Sequence, residues 1–323
     1  MTMANITMVT YFILKGILDI PELQVLFFLL VLLTYLITLG GNTTILLLVW
    51  LDSHLHTPMY FFLCNLSVLN LCSTTVTLHK VFVMFVTGDN VVYYTDCMAQ
   101  VFLFSWFSSN EFLLLTAMSY DRYVAICRSL HYSNLMKSRV CAALAIFCWS
   151  FGLLQTLPVM AILWQVSCYT SNIIKHVFCD TVLLMNLSCS DTSTLELLIL
   201  IEGALLSTFT PFLLTFISYY FIITTIMRIK SSTGRSKAFY TCSSHLAVVT
   251  LLYASIVCQY LIPSNTFKSK KLFSLLNTAL VPMLNPFIYS LKNKDVKSAV
   301  QRKLKSFTII IGREVIFGVV GRT

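Results

Sequence analysis

Seven runs of apolar residues along the chain are each long enough to cross a bilayer, near 24 to 51, 58 to 79, 97 to 121, 140 to 164, 196 to 227, 238 to 262 and 271 to 291. Short polar segments part them. A helix rises about 1.5 Å per residue, so roughly 20 apolar residues match a hydrocarbon core of about 30 Å. The pattern predicts an all-α integral membrane protein, a bundle of seven transmembrane helices over 24–291. An extracellular segment at 1–23 precedes it and a cytoplasmic tail at 292–323 follows. From Lys292 to Ser306 bases alternate with Val296, Ala299, Val300 and Leu304, which suits a short amphipathic eighth helix on anionic headgroups. No Pro/Gly/Ser-rich linker, low-complexity tract or solenoid repeat divides the chain, so a single bundle domain is expected.

Composition strengthens this reading. Of 323 residues, 57% are hydrophobic and 11% charged, and the mean hydropathy is +0.82, well beyond ordinary globular domains. Orientation follows from the bases: Lys15, Lys80, Lys175, Lys268, Lys270 and Lys271 fall on one side, and the rest of the 22 Lys and Arg on the other. The richer side is cytosolic by the positive-inside rule, which puts the amino terminus outside. The net charge of +9 then reflects topology and contact with membrane lipid, not nucleic acid. The first 20 residues lack the pattern of a cleavable signal, so the first span reads as a signal-anchor. Asn5-Ile6-Thr7 is an outer glycosylation sequon, and Asn186-Leu187-Ser188 is a second; the triplets at Asn42 and Asn65 fall inside spans.

Of 11 cysteines, Cys97, Cys168, Cys179 and Cys189 reach the outer side, where an even count suggests two bridges. Four cysteines allow three connectivities, and the sequence does not choose among them. The others read as small buried apolar residues.

Charge inside the apolar runs carries the functional signal. Asp121-Arg122-Tyr123 closes the third run; adjacent charges at a helix end belong at a membrane face, where they pair with each other or engage a protein. That favours a signal relay over an enzyme. Cys97 to Arg122 is 25 residues, about 37 Å, so this helix must tilt to link one rim to the other. Glu111 lies ten residues, about 15 Å, outward of Asp121. An acid at that depth is costly without a role or a partner. Glu202, nearer the outer end of its helix, reads as a snorkelled or water-facing carboxylate. No metal-ligand cluster, nucleophile elbow or phosphate loop supports an enzyme. A transporter using Glu111 and Glu202 is the competing class, but inverted repeats and paired broken helices are lacking.

Several longer motifs stand in order: Leu55-His56-Thr57 before Pro58-Met59-Tyr60-Phe61-Phe62-Leu63, then Met118-Ser119-Tyr120-Asp121-Arg122-Tyr123-Val124-Ala125-Ile126-Cys127. Ser218-Tyr219, Lys237 through Leu246, and Pro282-Met283-Leu284-Asn285-Pro286-Phe287-Ile288-Tyr289-Ser290 follow. With these the chain resembles the olfactory receptor family of rhodopsin-like G-protein-coupled receptors, from about Leu18 to Lys305.

The resemblance implies a receptor for small volatile odorants that activates a stimulatory, olfactory-type G protein and raises cyclic AMP at the plasma membrane. It implies the pairs Cys97–Cys179 and Cys168–Cys189. A mostly apolar pocket with a few hydroxyls is expected, and by helix position it comprises Phe104, Ser105, Ser108, Ser109, Gly203, Ala204, Ser207, Ile256, Val257, Tyr260 and Thr278. Each hydroxyl also has a plain reading, a helix-contact residue bonded to its own backbone. The resemblance assigns the switch to Asp121, Arg122, Tyr123, Tyr219, His245, Tyr253, Asn285, Pro286 and Tyr289. A rhodopsin-like receptor for a non-odorant metabolite is the second reading within this fold.

Departures from the family pattern are informative. Asn70 stands where the family usually has Asp, which removes one charge from a polar core that it forms with Glu111 and Asn285. No cofactor is expected, and the missing charge weighs against the sodium ion that the family's core is thought to hold. Ser119, Ser129 and Tyr240 are smaller departures, and the apolar extension from Phe307 to Thr323 has no counterpart.

Overall fold

The computed structural model describes residues 9–15, 21–166, 168–260, 278–289 and 295–303. Its longer helices are α1 (Pro21–Leu51), α2 (Pro58–Thr87), α3 (Tyr94–Cys127), α4 (Ser138–Leu163), α5 (Ser193–Met227) and α6 (Ser232–Tyr260), with α7 at 278–289 and α8 at 295–303. Among the described residues, six helices, α1 to α6, are long and apolar enough to cross a membrane. α7 is the described part of the seventh apolar run, and α8 falls where the interfacial helix was expected. Asn5, the remainder of 271–291 and the extension from Phe307 lie outside the described residues.

The helices extend past the apolar runs that mark them. α2 continues to Thr87 instead of 79, since Lys80 reaches the Asp89 carboxylate at 3.1 Å and keeps its charge out of the bundle. Gly88 then ends it at φ 73°, its N–H bonding back to Met84 O, a left-handed cap natural to glycine. α3 begins at Tyr94, α4 at Ser138 and α5 at Ser193, each slightly before the apolar run. α6 begins at Ser232, not 238, because its first turns carry Arg235 and Lys237 clear of hydrocarbon.

Apolar faces point outward as well as inward. Leu26, Leu29, Leu30 and Leu33 of α1 and Leu200, Leu205, Phe209 and Phe216 of α5 are exposed, a belt that lipid would cover. Inside, the core packs Leu66 of α2, Leu114 of α3, Val248 of α6 and Tyr289 of α7 together. The Trp149 indole donates to Asn65 Oδ1 at 3.1 Å while Trp106 donates to the Trp149 carbonyl at 3.1 Å, joining α2, α4 and α3. Two glycines permit close approach. A Cβ on Gly41 would stand 2.9 Å from the Pro286 ring, and one on Gly152 would stand 2.9 Å from the Asn110 amide.

At the cysteine-bearing end, residues 11–14 are paired into a sheet. Tyr11–Leu14 forms a strand, β1, that pairs antiparallel with β2 (Val91–Tyr93) and parallel with β3 (Ile173–Ile174), giving the order β2-β1-β3. Alternation buries Phe12 and Leu14 beneath the sheet, with the Phe12 ring edge-on to Tyr169 at 5.2 Å. Disulfides Cys97–Cys179 and Cys168–Cys189 hold the long loop after α4 across this end.

Candidate functional site

Beneath that cover the loop sends side chains into the bundle. Val177 and Phe178 are buried with Val31 of α1 and Leu78 and Val81 of α2, and the Phe178 ring meets Phe104 of α3 at 5.4 Å. Gln100 fixes the plug: its Nε2 donates to Val76 O at 2.8 Å and its Oε1 accepts from Cys179 N–H at 2.8 Å. The plug places Phe104 directly under the loop.

Two of the serines proposed for the pocket, Ser109 and Ser207, meet where α5 is irregular. Pro211 has no N–H for the carbonyl four residues back, and Ile199–Phe209 widens into a π-helix. Ser207, Thr208 and Thr210 hydroxyls donate to carbonyls five residues back, of Glu202, Gly203 and Leu205, at 2.6, 2.9 and 2.9 Å. Ser207 also meets Ser109 Oγ of α3 at 3.3 Å and accepts from Gln155 Nε2 of α4 at 2.6 Å. Ser105 and Ser108 are partly buried on the same helix as Ser109, Ile256 packs on the central core, and Thr278 is buried on α7. Gly203, Ala204 and Val257 are exposed, so the described residues do not enclose them. The Tyr260 side chain lies outside the described residues. Glu202 is half-buried, with Oε2 buried and without a hydrogen-bond partner among the described residues.

Midway along the bundle lies a layer of amides. Asn42 Nδ2 donates to Thr38 O at 2.9 Å and to Pro282 O at 3.2 Å, and Asn70 Nδ2 donates to Asn42 Oδ1 at 3.2 Å. Glu111 lies beside Asn285. Asn70 Oδ1, Glu111 Oε1, the Asn285 amide atoms and the Tyr289 hydroxyl are buried without a hydrogen-bond partner among the described residues. Asn42 belongs to this layer and was missed from sequence, where it read only as an interior sequon.

At the opposite end from the disulfides, Arg122 pairs with Asp121, and both are buried. Tyr132, in a helical turn at Tyr132–Leu135, donates to the other Asp121 oxygen at 2.8 Å. This partner was also missed. Tyr219 and His245 share a 2.7 Å hydrogen bond with stacked rings, while His245 Nε2 stands 3.0 Å from Leu115 O. Tyr123 packs near Phe221 at 6.1 Å, and Tyr253 sits between Phe112 and Phe212 at 5.7 and 5.0 Å. Asn285, Pro286 and Tyr289 lie on α7, where Pro286 meets Gly41 of α1. At the same end Asp52 accepts from Arg302 of α8 at 2.7 and 3.0 Å and from the His54 backbone at 3.1 Å. The guanidinium holds the Asp52 carboxyl down at about 2.

The membrane-crossing helices, the disulfide-stapled cover and the paired Asp121–Arg122 at the far end define a seven-helix receptor of the rhodopsin type. The crystal structure of squid rhodopsin superposes with a TM-score of 0.67 at 19% identity, over 85% of this chain and 78% of that one. A family model for olfactory receptors matches residues 31–306. Human olfactory receptor 6C3 is 45% identical over 297 residues, 91% of this chain and 95% of the relative. Human olfactory receptor 6C74 is 45% identical over 309 residues, 95% of this chain and 99% of the relative. The chain belongs to the olfactory receptor family, and it is a multi-pass membrane receptor, not an enzyme.

Proposed function

We propose that the chain binds small volatile odorants between the disulfide-stapled cover and the amide layer, and that binding frees Arg122 to engage a stimulatory olfactory-type G protein that raises cyclic AMP. The observation that carries the reading is the paired Asp121–Arg122, capped by Tyr132 and buried at the bundle end. An ion pair at that position is a two-state element: it keeps the guanidinium occupied until displaced, and the freed guanidinium is a donor for a protein partner. Tyr219 and Tyr289 stand on α5 and α7 to support the open arrangement. The chain sits in the plasma membrane with its amino terminus outside, a placement supported by the bases and by disulfides at the opposite end from Arg122.

The pocket takes an apolar ligand against Phe104 and Ile256, with hydroxyls from Ser105, Ser108, Ser109 and Thr278 orienting it and Ser207 behind them. Tyr260 completes the proposed set, while the exposed Gly203, Ala204 and Val257 stand at its outer edge. Asn5 is the proposed glycosylation site.

In the amide layer, oxygens of Asn70, Glu111 and Asn285 would face a cation, but Glu111 is the single charge. One carboxylate compensates a dehydrated ion less well than two, and a proton on Glu111 satisfies the site at lower cost. We assign the site to a proton, not sodium.

Cyclic AMP measured in cells expressing the chain with an olfactory-type G protein tests the reading. A dose-dependent response to a volatile that is lost in Arg122→Ala supports it, and silence of a surface-displayed receptor across a broad panel opposes it.

A further inference from the structure

The hydrogen bonds around Ser207 fix the polarity of the side chains where α3, α4 and α5 meet. A serine hydroxyl has one proton, and that of Ser207 is committed to the Glu202 carbonyl at 2.6 Å, an acceptor only. Ser207 Oγ must therefore accept from its other neighbours. Gln155 presents its amide nitrogen at 2.6 Å, and Ser109 at 3.3 Å is the donor of its own contact. The proton count thus sets the orientation of the Gln155 amide: nitrogen on Ser207, oxygen turned away. Gln155 Oε1 is left buried without a hydrogen-bond partner among the described residues, on a residue only 9% exposed.

The neighbouring free atoms have the same polarity. Asn110, next to Ser109, spends its Nδ2 on Trp106 O at 2.9 Å and leaves Oδ1 unpartnered, and Glu202 leaves Oε2 unpartnered. Two helices, α3 and α4, thus each contribute a buried amide oxygen that can only accept, beside the half-buried Glu202 carboxyl of α5. An oxygen in that state costs free energy until a donor reaches it.

We propose that Gln155 is a specificity-determining residue of the odorant pocket, and that its carbonyl oxygen selects ligands carrying a hydrogen-bond donor, an aliphatic or aromatic alcohol over the corresponding aldehyde, ketone or ester. The inference rests on the odorant-receptor reading above. An alcohol donates its proton to Gln155 Oε1 while its carbon skeleton lies against the apolar wall. A ketone of the same skeleton places an acceptor against an acceptor. Sites built to bond one hydroxyl discriminate strongly against analogues lacking it, because the protein atom is then left unpaired. Ser207 acts through Gln155, as a positioning residue that holds the amide in this orientation.

The test uses the full-length receptor in cells, a cyclic AMP readout, surface display checked at an outer epitope, and matched alcohol, ketone and ester sets on common skeletons. The wild type is expected to respond to alcohols at concentrations at least about tenfold below those for the matched carbonyl compounds. Gln155→Leu removes the acceptor and should erase that preference while leaving carbonyl responses in place. Ser207→Ala frees the amide to turn its nitrogen toward the ligand, and should shift the preference toward ketones; it keeps the proposal testable if the leucine variant is not displayed. Equal wild-type potency for alcohols and carbonyls, or an alcohol preference untouched by both variants, overturns the inference while leaving the odorant reading intact. The second outcome would mean that water satisfies Gln155. Silence of the displayed wild type to every volatile overturns the odorant reading, and this inference with it.

Discussion

Tyr219 and His245 share a 2.7 Å hydrogen bond, and its direction follows from their third partner. His245 Nε2 stands 3.0 Å from Leu115 O, which can only accept, so Nε2 carries the ring proton. Nδ1 is then the acceptor, and the Tyr219 hydroxyl donates to it. One imidazole thereby joins α5, α6 and α3, beside the helix that carries Arg122.

Breaking that joint should favour the open state. Tyr219→Phe keeps the ring and removes the donor, leaving Nδ1 buried and unpaired at a cost of about 1–3 kcal/mol. Basal cyclic AMP without ligand is expected to rise several-fold if the joint stabilises the closed state more than the open one, as the paired Asp121–Arg122 indicates. Unchanged basal activity in a normally displayed variant would remove the joint from the switch.

Asp121 and Arg122 should behave asymmetrically although they form one pair. Asp121→Asn releases the guanidinium and is expected to raise basal signalling, with Tyr132→Phe doing so more weakly. Arg122→Ala should abolish ligand-driven signalling while leaving ligand binding measurable. Equal loss of signal in Asp121→Asn and Arg122→Ala would show that the pair supports folding alone.

In the amide layer, Asn70→Asp restores a second charge beside Glu111. The wild type is expected to show no change in basal or agonist-driven signalling when sodium is exchanged for a large organic cation. The variant should acquire such a dependence. Sodium sensitivity already present in the wild type would contradict the assignment of the site to a proton.

The strand before α1 should bear weight in folding. Phe12 is fully buried under the sheet, so Phe12→Ala is expected to cost about 3–5 kcal/mol and to lower surface display sharply. Tyr11→Ala, at an exposed position of the same strand, should change stability by no more than about 0.5 kcal/mol. Thermal unfolding in detergent distinguishes the two.

Asp52 gives a pH signature. Its folded value of about 2 lies below the ordinary carboxylate value of about 3.9. Its stabilisation is therefore present in full above that ordinary value and is lost as pH falls toward about 2. Arg302→Gln should remove this stabilisation and return the carboxyl toward its ordinary range, followed by unfolding temperature against pH.

Six of the spans, the adjacent charges of Asp121 and Arg122 and the outer cysteines were legible because each has a strong local signal: length of apolar run, charge next to hydrocarbon, or a thiol on the oxidising side; the disulfide pairing came only with the family resemblance. The helix ends were not, since residues such as Lys80 snorkel and leave hydropathy silent about where the backbone stops. Strand β1 carries four residues and β3 two, too short for periodicity to speak. Gln155 was missed although an amide inside an apolar helix is a polar anomaly of the same kind as Glu111. Asn42 and Tyr132 were missed because their roles depend on partners in other segments, Asn70 and Asp121, which no spacing along the chain reveals.

The most direct test of the central claim is cyclic AMP in cells carrying this receptor and an olfactory-type G protein, across a broad volatile panel, beside Arg122→Ala at equal surface density. A saturable response to one chemical class, absent in Arg122→Ala, is the predicted result. A ligand response that persists in Arg122→Ala, or an ionic current gated by ligand without G protein, would contradict the account.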